Sequence, residues 1–220
     1  MQFIDKLDIP GEHPLVLNGV VGQLEAVLTV PAKIDSPYVA FLGHPHSLQG
    51  GTMNNKVVTT MARVFKELNI PSLRFNFRGV GLSEGVYDAG LGESDDMMAQ
   101  ALAWQKEQMN RRFIFAGFSF GSYVAYRAAA QLQPSMLITI APSVQHYNYN
   151  EFTPYPDSWL LVHGDEDELV PVAAVLDFVQ QFQPALPLIQ FANTGHFFHG
   201  KLLELKAKLM DYVHAQIHSA

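Results

Sequence analysis

The feature that most constrains the fold is a pentapeptide that joins two different secondary-structure patterns, Gly117-Phe118-Ser119-Phe120-Gly121. The residues from Phe113 up to it form an apolar run typical of a strand buried on both faces, and the Ala-rich residues after it favour a helix. A turn this tight strains the backbone of its central residue, and the flanking glycines make the turn possible because they have no side chains that would clash. The pattern predicts a serine that projects from a strand-to-helix turn, although such a serine can also be chemically inert.

Strand-like and helix-like segments alternate from residue 38 onward. Besides Phe113 to Phe118, apolar runs predict strands at Tyr38 to Gly43, Ser72 to Phe77, Met136 to Ile140, Trp159 to Val162 and Leu186 to Phe191. Helices are predicted at Asn55 to Leu68, Asp95 to Glu107, Tyr123 to Gln131, Val172 to Phe182 and Lys201 to Ile217. This alternation indicates an α/β protein with a mostly parallel central sheet, helices on both faces, and a ligand site at the carboxyl ends of the strands.

Two segments near the N-terminus differ from this pattern. Phe3 to Ile9 and Leu24 to Val30 each alternate apolar with polar or charged residues, and Pro10, Gly11 and Pro14 lie between them. Alternation over such lengths is typical of strands with one solvated face. We therefore predict an antiparallel pair formed by these two segments at one edge of the sheet.

Composition restricts the classes of function. The 220 residues are 48% hydrophobic and 16% charged, which suits one domain spanning residues 1–220. The net charge of -7 and the lack of a polybasic stripe argue against binding to nucleic acid or an anionic membrane. No secretory signal or long apolar segment is evident, so we expect a soluble cytoplasmic protein. Without cysteine there is no thiol nucleophile, disulfide or Cys-ligated zinc.

Three reactive groups are predicted to meet at the carboxyl end of the sheet. Ser119, the acidic run Asp165 to Glu168, and His196 each follow a predicted strand. A serine hydroxyl needs an imidazole to accept its proton, and that imidazole needs a carboxylate to orient it. The chain order serine, acid, histidine is typical of one hydrolytic fold. The sequence therefore predicts a site for nucleophilic catalysis by serine.

Two other kinds of site agree less well with the sequence. The glycine-rich loop that begins at Arg78 lacks a dinucleotide fingerprint, because Glu84 occupies the place of the third glycine and no helix is predicted to begin there. A metal site formed by His44 and His46, with His163 and Asp165, is a second alternative, but no H-x-H-x-D-H or H-E-x-x-H motif supports it. We therefore expect no cofactor and no metal, and a metal-dependent hydrolase stays a minor alternative.

These motifs resemble those of the α/β-hydrolase superfamily over residues 24–220. GFSFG at 117–121 is similar to its nucleophile elbow, HGDEDELVP at 163–171 to its HGxxDxxVP acid turn, Gly195-His196 to its histidine loop, and FNFRGVGLSEG at 75–85 to its FDxRGxGxSxG segment. HPHSLQGGTMNNKVV at 44–58 is most similar to small capless bacterial members of the esterase or dienelactone-hydrolase type. The nucleophile here is serine, whereas dienelactone hydrolase uses cysteine, so no lactone substrate is implied.

The resemblance implies a role for each reactive group. Ser119 is expected to be the nucleophile and His196 its base. The HGxxDxxVP pattern selects Asp167 as the acid that orients the histidine, with Asp165 as second choice and the neighbouring glutamates solvated. For the oxyanion hole, the pattern selects the backbone N–H of Phe120 and, after the first parallel strand, that of His46, with Ser47 or Leu48 as alternatives to His46.

Substrate and assembly are less constrained by the resemblance. The connection from Ala141 to Pro156 has room for a loop but not for a cap domain, which implies an open site for a small ester or thioester in a monomer or homodimer. A catalytically silent binding protein on the same fold is the main alternative. The residues expected to line an apolar pocket are Leu48, Met53, Val80, Phe118, Tyr147, Tyr149 and Phe197.

Overall fold

The structure, a computed structural model, describes residues 3–107, 112–152 and 158–218. Eight strands of the described residues form one sheet in the order β1-β2-β4-β3-β5-β6-β7-β8. Their bounds are β1 (Gly11–Asn18), β2 (Gln23–Val30), β3 (Tyr38–Gly43), β4 (Ser72–Phe75), β5 (Arg112–Phe118), β6 (Met136–Ile140), β7 (Trp159–Gly164) and β8 (Leu188–Phe191). Strand β2 pairs antiparallel with β1 and β4, and all other pairs are parallel.

Helices cover both faces of this sheet. They are α1 (Ile4–Leu7), α2 (Lys56–Glu67), α3 (Leu91–Glu107), α4 (Phe120–Leu132), α5 (Val172–Val179) and α6 (Leu202–His218). Successive side chains of a strand point to opposite faces. Phe41 of β3 accordingly joins one core with Trp104 of α3, and Leu42 joins the other core with Leu205 of α6. The predicted α/β-hydrolase fold, with its mostly parallel sheet and antiparallel N-terminal edge, is confirmed.

The predicted position of the first edge strand is wrong. Residues 4–7 of the segment Phe3 to Ile9 form the short helix α1, and the edge strand is β1, which contains Pro14. Proline is tolerated on an edge strand because its missing N–H costs no internal hydrogen bond there. Phe3 is fully buried, and its ring lies 4.9 Å from that of Trp104. The alternation in residues 3–9 therefore arose from one buried anchor and a short helical turn.

The third helix begins four residues before the predicted start at Asp95. Leu91 is its first residue, and Glu93 accepts hydrogen bonds from the N–H groups of Asp88 and Gly90 at 2.9 Å each. This buried carboxylate in the first turn of the helix thus pairs two N–H groups of the segment that leads into the helix. No helix of the described residues is long and apolar enough to cross a membrane.

Candidate active site

Ser119 occupies the strained turn between β5 and α4. Its backbone has φ 55° and ψ -119°, a conformation that costs energy for a residue with a side chain. The Ser119 N–H donates to the carbonyl of Ile140 at the end of β6 (2.8 Å), and the Ser119 carbonyl accepts from the N–H of Ser122 (2.9 Å). The hydroxyl of Ser122 lies within hydrogen-bond distance of the carbonyls of Gly117 (2.8 Å) and Ile140 (3.0 Å). Strand β6 and the first turn of α4 together hold the turn in place.

Glycines allow the backbones around Ser119 to touch. A Cβ atom on Gly117 would lie 2.0 Å from the carbonyl oxygen of Gly121, and one on Gly121 would lie 2.4 Å from the carbonyl carbon of Gly43. These distances are far below any van der Waals contact between a side chain and a backbone. The close approach of β3, β5 and α4 therefore requires glycine at all three positions.

His196 connects Ser119 to Asp167. Its Nε2 lies 3.0 Å from the Ser119 hydroxyl oxygen, and its Nδ1 lies 2.8 Å from Oδ2 of Asp167. Because a carboxylate only accepts, Nδ1 carries the proton and Nε2 presents its lone pair to the serine hydroxyl. The imidazole packs against the ring of Phe118, with 5.1 Å between ring centroids. The structure thus brings together the three residues that the sequence predicted as nucleophile, base and acid.

The Asp167 carboxylate is buried, but it accepts three hydrogen bonds. Oδ1 accepts from the N–H groups of Leu169 (2.9 Å) and Val170 (2.8 Å), and Oδ2 accepts from His196. Burial raises the pKa of Asp167, but the hydrogen bond and charge of His196 and the two backbone N–H groups outweigh it, so that the pKa falls below its ordinary value. Asp167 therefore stays ionised at neutral pH.

The other acids of the turn bind different parts of the histidine loop. The carboxylate of Asp165, the second choice as orienting acid, accepts from the N–H of Thr194 at 3.4 Å. Glu168 was expected to be solvated, and it is exposed, but its Oε2 also accepts from the backbone N–H of His196 at 3.0 Å. The exposure of Glu168 agrees with that expectation, but its contact with the histidine loop was not predicted, because a run of acids gives no sign of which backbone groups will fold against it.

Two backbone N–H groups near Ser119 are free to stabilise a negative oxygen. Within the described residues, neither the N–H of Phe120, the first residue of α4, nor that of His46 donates a hydrogen bond. The N–H of Leu48 instead donates to Nδ1 of His46 at 3.2 Å. Leu48 is therefore the weakest of the three alternatives for the second donor, and the assignment to Phe120 and His46 stays a prediction.

The histidines proposed for a metal site have other partners. His44 is fully buried; its Nε2 accepts from the N–H of Phe77 (2.9 Å), so its Nδ1 donates to the carbonyl of Pro45 (2.7 Å). Burial lowers the pKa of His44 to about 4 despite that carbonyl. His163 donates from Nε2 to the carbonyl of Val170 at 2.9 Å. Within the described ranges, no group of three or more potential ligands is arranged to hold a metal ion.

A cavity of about 400 Å³ opens beside Ser119. Of the residues expected to line it, only Tyr147 does so. Leu48 is 71% exposed to solvent, whereas Met53 and Val80 are buried. Phe118 and Tyr149 belong to the core. Phe197 packs against the ring of Phe118. The lining residues are His46, Gln49, Ser119, Phe120, Ser143, His146, Tyr147, Leu169, Val170 and His196.

Tyr147 reaches the cavity because the segment that follows β6 is held in place by side chains of helix α4. Its ring stacks on that of Tyr123 in α4, with centroids 4.6 Å apart and planes 20° apart. Glu151 accepts from the Tyr123 hydroxyl at 3.1 Å and pairs with the largely buried Arg127. Sequence reasoning missed Gln49, Ser143, His146, Leu169 and Val170 as lining residues, since no motif marks them. Residues 153–157, with Tyr155 and Pro156 of the predicted connection, lie outside the described residues.

Comparisons with known proteins agree on the fold and on the class of enzyme. No protein-family model matches the chain. The chain is 40% identical to an α/β serine hydrolase without a lid from Xanthomonas campestris, with a TM-score of 0.89 over 93% of this chain and 94% of that one. It is 39% identical to an α/β serine hydrolase homologue from Coxiella burnetii, with a TM-score of 0.88 over 93% and 98% of the two chains.

A further relative is an uncharacterized protein from Rickettsia prowazekii. It is 31% identical over 211 residues, which cover 90% of this chain and 87% of that protein. Identities of this size over nearly complete chains go beyond a shared fold. The chain therefore belongs to the α/β serine hydrolases that lack a lid.

Proposed function

We propose that this chain is a serine esterase that hydrolyses small carboxylic esters or thioesters through an acyl-enzyme intermediate. The observation that carries the proposal is the unbroken chain of hydrogen bonds from the Ser119 hydroxyl through His196 to Asp167, with distances of 3.0 and 2.8 Å. Both distances lie within the reach needed for proton transfer. The similarity to lidless serine hydrolases supports the same chemistry.

In the first half of the reaction, the Ser119 oxygen attacks the carbonyl carbon while its proton passes to Nε2 of His196. The ionised carboxylate of Asp167 stabilises the resulting imidazolium. Negative charge develops on the carbonyl oxygen, and the N–H groups of Phe120 and His46 are the proposed donors to it, each typically worth about 10² to 10³ in rate. Collapse of the tetrahedral intermediate expels the alcohol or thiol, which takes the proton from His196.

In the second half, water replaces the leaving group. His196 accepts a proton from the water as the water oxygen attacks the acyl carbon, and the same N–H groups receive the oxyanion again. Collapse returns the proton from His196 to the Ser119 oxygen and releases the carboxylic acid. Besides the substrate and this water, every group that the proposed steps use is a side chain or backbone group of this chain.

The cavity favours small substrates. Its volume of about 400 Å³ lies near the lower end of the roughly 300 to 1,000 Å³ usual for ligand sites. Its lining combines aliphatic side chains, Leu169 and Val170, with polar ones such as Gln49 and His146. We therefore expect short acyl chains to be preferred to long ones, and thioesters of the same acyl size to be accepted.

The test is covalent labelling with a fluorophosphonate probe, combined with hydrolysis of p-nitrophenyl esters from acetate to octanoate. Wild-type protein should be labelled and should hydrolyse the short esters fastest, whereas Ser119→Ala should not be labelled and should lose at least about 10³-fold in kcat. Ser122→Ala, which changes a neighbouring hydroxyl, should still be labelled. Equal labelling of wild type and Ser119→Ala, or folded wild type inactive on every ester, would refute the proposal.

A further inference from the structure

Two consecutive acids hold His196 at two different points. Asp167 accepts from the ring Nδ1 at 2.8 Å, and Glu168 accepts from the backbone N–H at 3.0 Å. A ring held only at Nδ1 can still swing when its backbone shifts, whereas a second bond to the N–H fixes the point from which the side chain extends. The His196 N–H is also the main cause of a lowered pKa at Glu168, so this carboxylate remains ionised and able to accept.

Gly195 provides the space in which the Glu168 carboxylate lies. A Cβ atom on Gly195 would be 2.8 Å from Oε2 of Glu168, and the nearest other atoms would be at 3.7 Å or more. Gly195 does not have the positive φ that would itself exclude alanine. The glycine before the histidine is therefore explained by the approach of this one carboxylate.

From this geometry we propose that Glu168 is a positioning residue for His196, an inference that rests on the proposed function. Its carboxylate binds the His196 N–H and so fixes the backbone from which the imidazole reaches Ser119. Misplacing a catalytic group by about 1 Å can cost about 10²-fold in rate. Loss of one of the two bonds should therefore slow the proton transfers without altering how the substrate binds.

The first experiment compares Glu168→Ala with Glu168→Gln. Alanine removes the acceptor and should lower kcat about tenfold, with KM changed by less than about twofold. Glutamine keeps a carbonyl oxygen at the same reach and should restore kcat to within about threefold of wild type. Glu166→Ala removes the same charge from the same exposed turn and should leave kcat within about twofold of wild type.

Two results of this experiment would overturn the inference. If Glu168→Ala keeps the kcat of the wild type, the bond does not position the base. If Glu168→Gln loses as much activity as Glu168→Ala, the charge of the side chain and not its hydrogen bond is what acts on the site.

The second experiment is a double-mutant cycle with Gly195→Ala. Alone, this substitution displaces the Glu168 carboxylate and should also lower kcat about tenfold. In the Glu168→Ala background the new methyl group meets no close neighbour, so kcat should fall less than about twofold further. Fully additive losses would mean that Gly195 and Glu168 act separately, and would overturn the proposed contact.

Amide hydrogen exchange at His196, followed by NMR without substrate, separates this inference from the proposed function. Exchange should be slow in wild type and Glu168→Gln and about tenfold faster in Glu168→Ala, because the N–H loses its acceptor. A wild type that is inactive on every ester and unlabelled by the probe refutes the proposed function, whatever the exchange rates. Active wild type with unchanged exchange in Glu168→Ala refutes only the role of Glu168.

Discussion

The serine and the histidine of the site are held in place by different interactions. Ser119 lies near the centre of the sheet, where the backbones at Gly43, Gly117 and Gly121 touch and leave no space for another atom. His196 belongs to the loop that follows the edge strand β8, and this loop is held by the hydrogen bonds that His196 donates to Asp167 and Glu168. Contacts between backbones cannot yield, whereas a bond to a loop can be weakened or replaced. Similar substitutions should therefore lower the stability of the fold in the Ser119 region, but lower only the activity in the His196 region.

The largest expected effect tests the histidine region with a substitution that keeps the shape. Asp167→Asn should lower kcat about 10⁴-fold, equivalent to about 5 kcal/mol on the barrier, because the amide can donate to Nδ1 and leave Nε2 protonated. The measurement is ester hydrolysis together with urea unfolding, and the fold should be retained.

Asp165→Asn is the control for that experiment. Its carboxylate binds Thr194 and not the histidine, so kcat should stay within about threefold of wild type. Loss of activity in Asp165→Asn equal to that in Asp167→Asn would show that the acid had been assigned to the wrong residue.

The next effect tests the serine region. A methyl group on Gly117 would lie 2.0 Å from the carbonyl oxygen of Gly121. This clash can be removed only if β5 and α4 move apart. Gly117→Ala should therefore lower the free energy of unfolding by at least about 4 kcal/mol. Gly195→Ala, which meets only the end of a flexible side chain, should cost less than about 1 kcal/mol in the same urea titration. Equal losses of unfolding free energy in the two variants would mean that the Ser119 region and the His196 region do not differ in this respect.

The smallest effect concerns His44, whose buried ring binds the backbone carbonyl of Pro45 and the backbone N–H of Phe77. The folded protein keeps this ring neutral down to about pH 4, whereas in the unfolded chain it gains a proton below pH 6.5. Its contribution to the free energy of unfolding is therefore complete above about pH 6.5 and is lost as the pH falls toward 4. The loss amounts to about 3 kcal/mol, since one pKa unit is worth about 1.4 kcal/mol.

His44→Gln tests this contribution, because glutamine does not titrate in this range. Its free energy of unfolding should be lower than that of wild type at pH 7.5, and it should fall by about 3 kcal/mol less between pH 7.5 and pH 4. Urea unfolding of both proteins across this range is the measurement. Parallel pH profiles would mean that His44 gains its proton at the same pH in the folded protein and in the unfolded chain, and would contradict the lowered pKa.

The fold, and the meeting of the serine, acid and histidine side chains at one site, could be predicted because both leave local signals in the sequence. The apolar run before Gly117 and the chain order of Ser119, the acid turn and His196 need no knowledge of distant contacts. The first edge strand was misplaced because alternation in residues 3–9 is as regular as in Gly11–Asn18, and only the packing of Phe3 against Trp104 separates the two.

The cavity could not be predicted in the same way. Whether Leu48 or Gln49 faces it depends on a single 3₁₀ turn, Ser47–Gln49, and Tyr147 is placed there by ring contacts with Tyr123 and Phe120. The role proposed for Glu168 was hidden for a similar reason, because its partner is a backbone N–H and not another side chain. Sequence motifs identify side chains with a chemical role, but they do not identify the backbone N–H groups that need a hydrogen-bond acceptor.

The lining of the cavity has a consequence for how proteins of this kind diversify. Gln49, His146 and Leu169 come from connections after three different strands, and none of them forms part of the hydrogen-bond chain from Ser119 to Asp167. Substitutions of these three side chains by residues other than proline would change the lining of the cavity and keep both the three linked side chains and the backbone N–H of Leu169 that donates to Asp167. The side chains that line the cavity are thus different from those that form the hydrogen-bond chain, so that one set can change in evolution while the other is kept.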